Sequence, residues 1–253
     1  MARIYWTPKS TFSVLSKPVA KGGKYYTFTA GTKYYGMPYT WIYDDKYPTM
    51  MSWSTWNSTG SFRIFNNQRT PVKLTSSEKE TLKLDPNTTY YVKSFGNDCS
   101  TAVALAWKAG GASIEANYDT STMLTKLKDG TSCIRKVGDY TTLKGSDTEA
   151  IVKNNTKTKI KDCYALLQQG DACFHDDSAG AHAILIYSNN TTTKQVTVIE
   201  QVGYWQTAYN NGQAYKSTWL YLKTYDYDTL ANKYYLPITN DVFINTDIIN
   251  AAS

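Results

Sequence analysis

Hydrophobic and polar positions along the chain switch between two periods. Residues 182 to 187, His182-Ala183-Ile184-Leu185-Ile186-Tyr187, alternate with a period of two, as do residues 195 to 201, Gln195-Val196-Thr197-Val198-Ile199-Glu200-Gln201. Both read as half-buried strands, joined by the polar turn 189–194. If Ser188 pairs with Lys194, an antiparallel ladder sets Glu200 directly across from His182, on the face of Ile184, Ile186, Val196 and Val198. A slip of one residue would bring Gln201 there instead.

Helical spacing dominates earlier in the chain. Cys99, Val103 and Trp107 recur at i, i+4 and i+8, alanines at 102, 104 and 106 favour helix, and Gly110-Gly111 ends it, so a helix over about 99–109 is expected. Ser146-Asp147-Thr148-Glu149 has the form of a capping box ahead of Ala150-Ile151-Val152. Residues 160–167 read as a further helix leading to Gln168-Gln169-Gly170 and the strand pair. Residues 1–43 read as short strands, 44–90 as a Ser-, Thr- and Asn-rich insertion, and 112–160 as a second, partly helical one. Strands are expected again at 217–222, 234–238 and 242–244. No linker or repeat divides the chain, so one α+β domain over 1–253 is expected.

The chemistry concentrates at few residues. Cys99 opens its helix, where unpaired backbone N–H groups and the helix dipole favour a thiolate, and its polar neighbours Asp98 and Ser100 argue against a purely structural thiol. A buried core cysteine is the competing reading. The chain holds two histidines. His182 begins a strand, a rigid place for a base, whereas His175 falls in Phe174-His175-Asp176-Asp177-Ser178, read as a polar loop and at most a weak metal ligand. Glu200, at the end of an apolar strand face, needs a partner that His182 supplies.

The order Cys99, His182, Glu200 resembles the papain-like cell-wall hydrolases of the NlpC and CHAP types. Asp98-Cys99-Ser100-Thr101 is similar to their nucleophile motif, Gly170-Asp171 and Ala181-His182-Ala183-Ile184 to their G-D and histidine-strand motifs, and Glu200-Gln201 to the first two positions of a CHAP-type E-Q-N. Tyr35-Gly36-Met37-Pro38-Tyr39 looks like the G-x-P-Y element whose tyrosine lies beside the nucleophile. Thr101 stands where a glycine is usual, Ala181 precedes the histidine, and Val202 replaces the asparagine. The resemblance implies a nucleophile helix packed on an antiparallel sheet. It implies catalysis by Cys99, His182 and Glu200, and a place beside the nucleophile for Tyr39; Asp98 next to Cys99, Gln201 next to Glu200 and Trp205 four residues after it are the further oxyanion or substrate-binding candidates. The implied substrate is peptidoglycan, cut at a stem-peptide bond or at the muramoyl-alanine amide. A degenerate wall- or glycan-binding protein and a thiol transamidase are the alternatives.

Composition changes the picture little. With 253 residues and 42% hydrophobic content the chain can bury a sizeable core. No apolar run is long enough for a membrane helix, and Met1–Trp6 lacks a signal-like core, so the chain is either cytosolic or has lost its signal. A wall substrate favours the second, hence a secreted or wall-associated protein. Cysteines 99, 133, 163 and 173 form no C-x-x-C pair; at most one disulfide fits if Cys99 is free, and Cys163 reads as buried packing. No metal or other cofactor is expected. The net charge of +6 is spread over scattered lysines; this suits approach to an anionic polymer and argues against nucleic acid. A monomer is preferred. The chain has 22 tyrosines, and its aromatic clusters, with Tyr204-Trp205, suit either an exposed sheet or a sugar-stacking rim.

Overall fold

The computed structural model describes residues 5–7, 12–17, 24–36, 39, 76–81, 85–87, 98–115, 118–130, 132–142, 145–210 and 213–242. Most of the expected insertion at 44–90, the residues Gly96-Asn97 and Met37-Pro38, and the end of the expected strand 242–244 lie outside them. The fold is mixed α+β, as the pattern implied. The chain divides into two compact units, one of residues 1–98 with 201–220, the other of 99–200 with 221–253.

The first unit contains β1 (Tyr5–Trp6), β2 (Phe12–Lys17), β3 (Lys24–Phe28), β4 (Tyr34–Tyr35) and α1 (Ser76–Thr81). β2 and β3 form an antiparallel pair of their own. β1 runs antiparallel to β4. β4 pairs in parallel with residues 216–217 of a long later strand, which makes its sheet mixed. The short helix at 76–81 falls inside the stretch read as an insertion with little helical pattern.

The second unit opens with α2 (Cys99–Ala109), followed by α3 (Thr120–Asp129), β5 (Ile134–Lys136), α4 (Thr148–Asn155), α5 (Lys157–Tyr164), β6 (Ala172–Asp177) and β7 (Gly180–Asn190). β8 (Gln195–Asn210) and β9 (Gln213–Asp226) each give one end to this unit, and α6 (Tyr227–Asn232) and β10 (Leu236–Asn240) complete it. Its strands lie in the order β9-β8-β7-β6-β10-β5. The pairings of β5 with β10, β10 with β6, β6 with β7 and β7 with β8 are all antiparallel. α2 lies against β7, and Val103, Trp107, Ile184, Ile186, Val196, Val198, Leu236 and Ile238 share one buried cluster. The expected insertion at 112–160 thus supplies three helices and an edge strand.

Helix ends follow their side chains. Asp119 caps α3 by accepting from the Thr122 N–H at 2.7 Å, and Gly130, at φ 64°, closes it. Asp147 caps α4, accepting from Ala150 N–H at 2.8 Å. The cap is therefore one residue later than a box opening on Ser146, and Glu149 pairs with Lys153 at 2.6 Å within the helix. The Gly170-Asp171 pair anchors α2: the indole N–H of Trp107 donates to the Gly170 carbonyl at 2.7 Å, and Asp171 accepts from the Gln168 N–H. At Gly138, φ 82°, a β-carbon would fall 2.6 Å from the Cys163 sulfur, so only glycine lets this turn cover α5.

The register between β7 and β8 differs from the expected one. Asn190 pairs with Gln195 and Ser188 with Thr197, so the turn is residues 191–194, with Lys194 in the left-handed region at φ 53°. A β-bulge between Ile186 and Ser188 then shifts the ladder by one, and Ile186 faces Val198. This leaves Glu200 on the His182 face but one diagonal step away, not directly across.

Candidate active site

Cys99 lies in the first turn of α2 and is 93% buried, in the same cluster as the core side chains. Its polar neighbours Asp98 and Ser100 are buried too. What sets Cys99 apart is its neighbour, since its side chain acts on the charge of the His182 ring. His182 Nε2 lies 2.6 Å from Glu200 Oε2. One imidazole is thus coupled to both the thiol and the carboxylate.

Burial works against a charge on the His182 ring. The Cys99 and Glu200 side chains outweigh it and push the ring up to about 10. Burial likewise works to raise the Glu200 carboxyl, but hydrogen bonding and charge from His182, then the Tyr225 hydroxyl and the Lys223 ammonium, hold it below its usual 4.5. The geometry therefore favours a charged imidazolium–carboxylate pair. Glu200 is almost wholly covered, with 1% of its side chain exposed, against 19% for His182.

Two residues that the sequence reading did not single out share the other oxygen of Glu200. Tyr225 donates its hydroxyl to Oε1 at 2.7 Å, and Lys223 Nζ lies 3.3 Å from the same atom. They stand two apart on β9, next to β8, so they point to one face. The alternation Lys223-Thr224-Tyr225 after an apolar strand was the available signal, but it has meaning only once β9 is known to border β8.

His175 lies on β6, not in a loop, and is directly across from His182. Directly opposed residues share a face, so both histidines of the chain stand side by side. His175 Nδ1 lies 3.1 Å from Asp177 Oδ2, and its ring meets Tyr235 edge-on at 4.7 Å between centroids. Burial lowers His175, with the Asp177 hydrogen bond and charge opposing. The strand was missed because Asp176 and Asp177 read as loop residues; Asp176 N–H and carbonyl are both hydrogen-bonded to Thr148 Oγ1, which fastens that polar end to α4.

The other thiols are inert by environment. Cys133, Cys163 and Cys173 are all free and buried, and burial pushes each above its ordinary value. Cys163 is the packing residue expected. Among the described residues no cluster of three or more His, Cys, Asp or Glu is placed to hold a metal.

Tyr39, Asp98, Gln201 and Trp205 belong to the first unit. The Tyr39 ring lies 3.4 Å from where a β-carbon on Gly203 would stand, Gln201 Nε2 donates to Thr218 Oγ1 at 3.4 Å, and Trp205 packs against Tyr34 at 5.4 Å between centroids. The structure thus gathers Cys99, His182 and Glu200 in one unit, and gives Tyr39, Gln201 and Trp205 partners within the other. No helix among the described residues is long and apolar enough to cross a membrane. No protein-family model, curated protein or solved structure matches this chain.

Proposed function

We infer that this protein is a papain-like cysteine hydrolase that cleaves an amide bond of peptidoglycan through a thioester. The observation that carries the reading is the His182 imidazole, held by Glu200 at 2.6 Å and coupled in charge to the Cys99 side chain. Thiol at a helix start, histidine on a strand and carboxylate on the next strand give a nucleophile, a base and an orienting group.

In the proposed reaction the Cys99 thiolate adds to the amide carbonyl, and the backbone N–H groups at the start of α2 meet the oxyanion. The His182 imidazolium gives its proton to the leaving amine as the C–N bond breaks. Neutral His182 then takes a proton from water, which attacks the thioester and releases the acid and the thiol. Glu200 holds the ring orientation throughout. Tyr39 as a second oxyanion donor and secretion to the wall rest on the family resemblance; Asp98 and Gln201 at the site and Trp205 at a substrate rim rest on their places beside Cys99 and Glu200 in the sequence. A monomer acting without a cofactor is the accompanying proposal.

A second reading is a catalytically degenerate frame that only binds wall polymer. The burial of Cys99 and the threonine at 101 favour it. Digestion of purified peptidoglycan, followed by mass spectrometry of the fragments, separates the two. The hydrolase reading expects new free amines with wild type and none with Cys99→Ser; an unchanged polymer with both overturns it. Adding a primary amine tests for transfer instead of hydrolysis.

A further inference from the structure

We propose that Lys223 and Tyr225 are positioning residues that set how tightly His182 holds its proton, by drawing the charge of Glu200 onto the oxygen turned away from the histidine. The proposal rests on the hydrolase reading above and adds to it a control over the proton that must leave with the amine.

Glu200 divides its two oxygens. Oε2 faces His182 Nε2 at 2.6 Å, while Oε1 receives the Tyr225 hydroxyl at 2.7 Å and faces Lys223 Nζ at 3.3 Å. The two β9 side chains also support each other, with Lys223 Nζ 4.5 Å from the centre of the Tyr225 ring. A buried carboxylate with only a histidine partner would hold an imidazolium so firmly that it becomes a poor acid for a leaving amine. A cation and a phenol on the far oxygen weaken that hold while keeping the carboxylate fixed.

Other groups near this proton come from every neighbouring element. Cys99 on α2 faces His182. His175 and Asp177 lie across on β6, Tyr235 precedes β10, and Lys233 after α6 lies 6.0 Å from the Tyr225 ring centre. None of these is hydrogen-bonded to Glu200 Oε1 among the described contacts, so Lys223 and Tyr225 are the pair to perturb. Removing either leaves the other on Oε1, and the carboxylate stays in place.

The test is the pH titration of the His182 ring by NMR on the full chain with isotope-labelled histidine. The chain has only two histidines, and His175→Gln assigns them. Lys223→Met and Tyr225→Phe are expected to move the His182 midpoint upward by about half a pH unit or more, and Lys223→Arg to leave it near wild type. Midpoints that stay put or fall in both variants overturn the proposal, a fall meaning that these side chains merely pack the site. Lys223 is 39% exposed, so its replacement keeps the test open if Tyr225→Phe fails to fold. Iodoacetamide labelling of Cys99 in the same samples keeps the two claims apart: an unreactive wild-type Cys99 defeats the hydrolase reading, while the titration still decides the role of Lys223 and Tyr225.

Discussion

His182 and Glu200 are joined by a 2.6 Å contact between Nε2 and Oε2, although they are not directly paired in the ladder of β7 and β8. The diagonal arrangement depends on the bulge next to Tyr187. With the four-residue turn at 191–194 and regular pairing beyond it, the face of His182 would carry Gln201 and not Glu200. The extra residue in β7 restores the parity.

Cys99→Ser is expected to lower peptidoglycan turnover by on the order of 10³-fold or more with the fold retained, because the alcohol is nearly isosteric but much less acidic. Turnover assays with circular dichroism as the control check this. Activity near wild type would remove the thioester from the mechanism.

The two histidines are expected to separate under the same assay. His182→Ala should cost about 10²–10⁴-fold in turnover, the usual range for a lost acid–base group. His175→Ala should cost far less, since the described hydrogen bond of His175 is to Asp177 and not to Glu200 or Cys99. Their adjacency across β6 and β7 makes the comparison demanding. Reversed effects would exchange their roles.

Glu200→Gln keeps the shape of the carboxylate and removes its charge. His182 then holds its proton less tightly, so the alkaline limb of the pH–rate profile moves down. Turnover should fall as well, while Gln201→Ala should leave the profile in place. A silent Glu200→Gln with a crippled Gln201→Ala would transfer the orienting role to the amide.

The depressed Glu200 carboxyl also predicts how stability depends on pH. Its folded value lies below 4.5, so its stabilising share is present above that pH and is lost as pH falls through the folded value. Thermal unfolding between pH 6 and 3 should show a shallower loss for Glu200→Gln than for wild type. Equal slopes would contradict the assignment.

The helix at 99–109, the strand pair and the Cys–His–Glu order were legible because each rests on local periodicity. The exact register was not. Whether Glu200 or Gln201 meets His182 depends on turn length and a bulge together, and two errors of one residue cancelled: the loop was read as odd, the bulge was not foreseen, and Glu200 still reached the right face. His175 reads as a loop residue because its acidic neighbours look solvated, whereas the Asp176 side chain interacts with Thr120 of α3, its backbone with Thr148 of α4, and Asp177 with His175 itself. Lys223 and Tyr225 were invisible because strand adjacency between β8 and β9 is long-range information. The cap at Asp147 instead of Ser146 shows the same limit on a smaller scale, since either side chain satisfies the motif.

The most direct test of the central claim is the rate of iodoacetamide labelling at Cys99, read by peptide mass spectrometry in wild type and His182→Ala. The account predicts that Cys99 is labelled well ahead of Cys133, Cys163 and Cys173, and that His182→Ala abolishes this preference. Labelling at Cys99 that is no faster than at the other three thiols, or that is unchanged by His182→Ala, would contradict it.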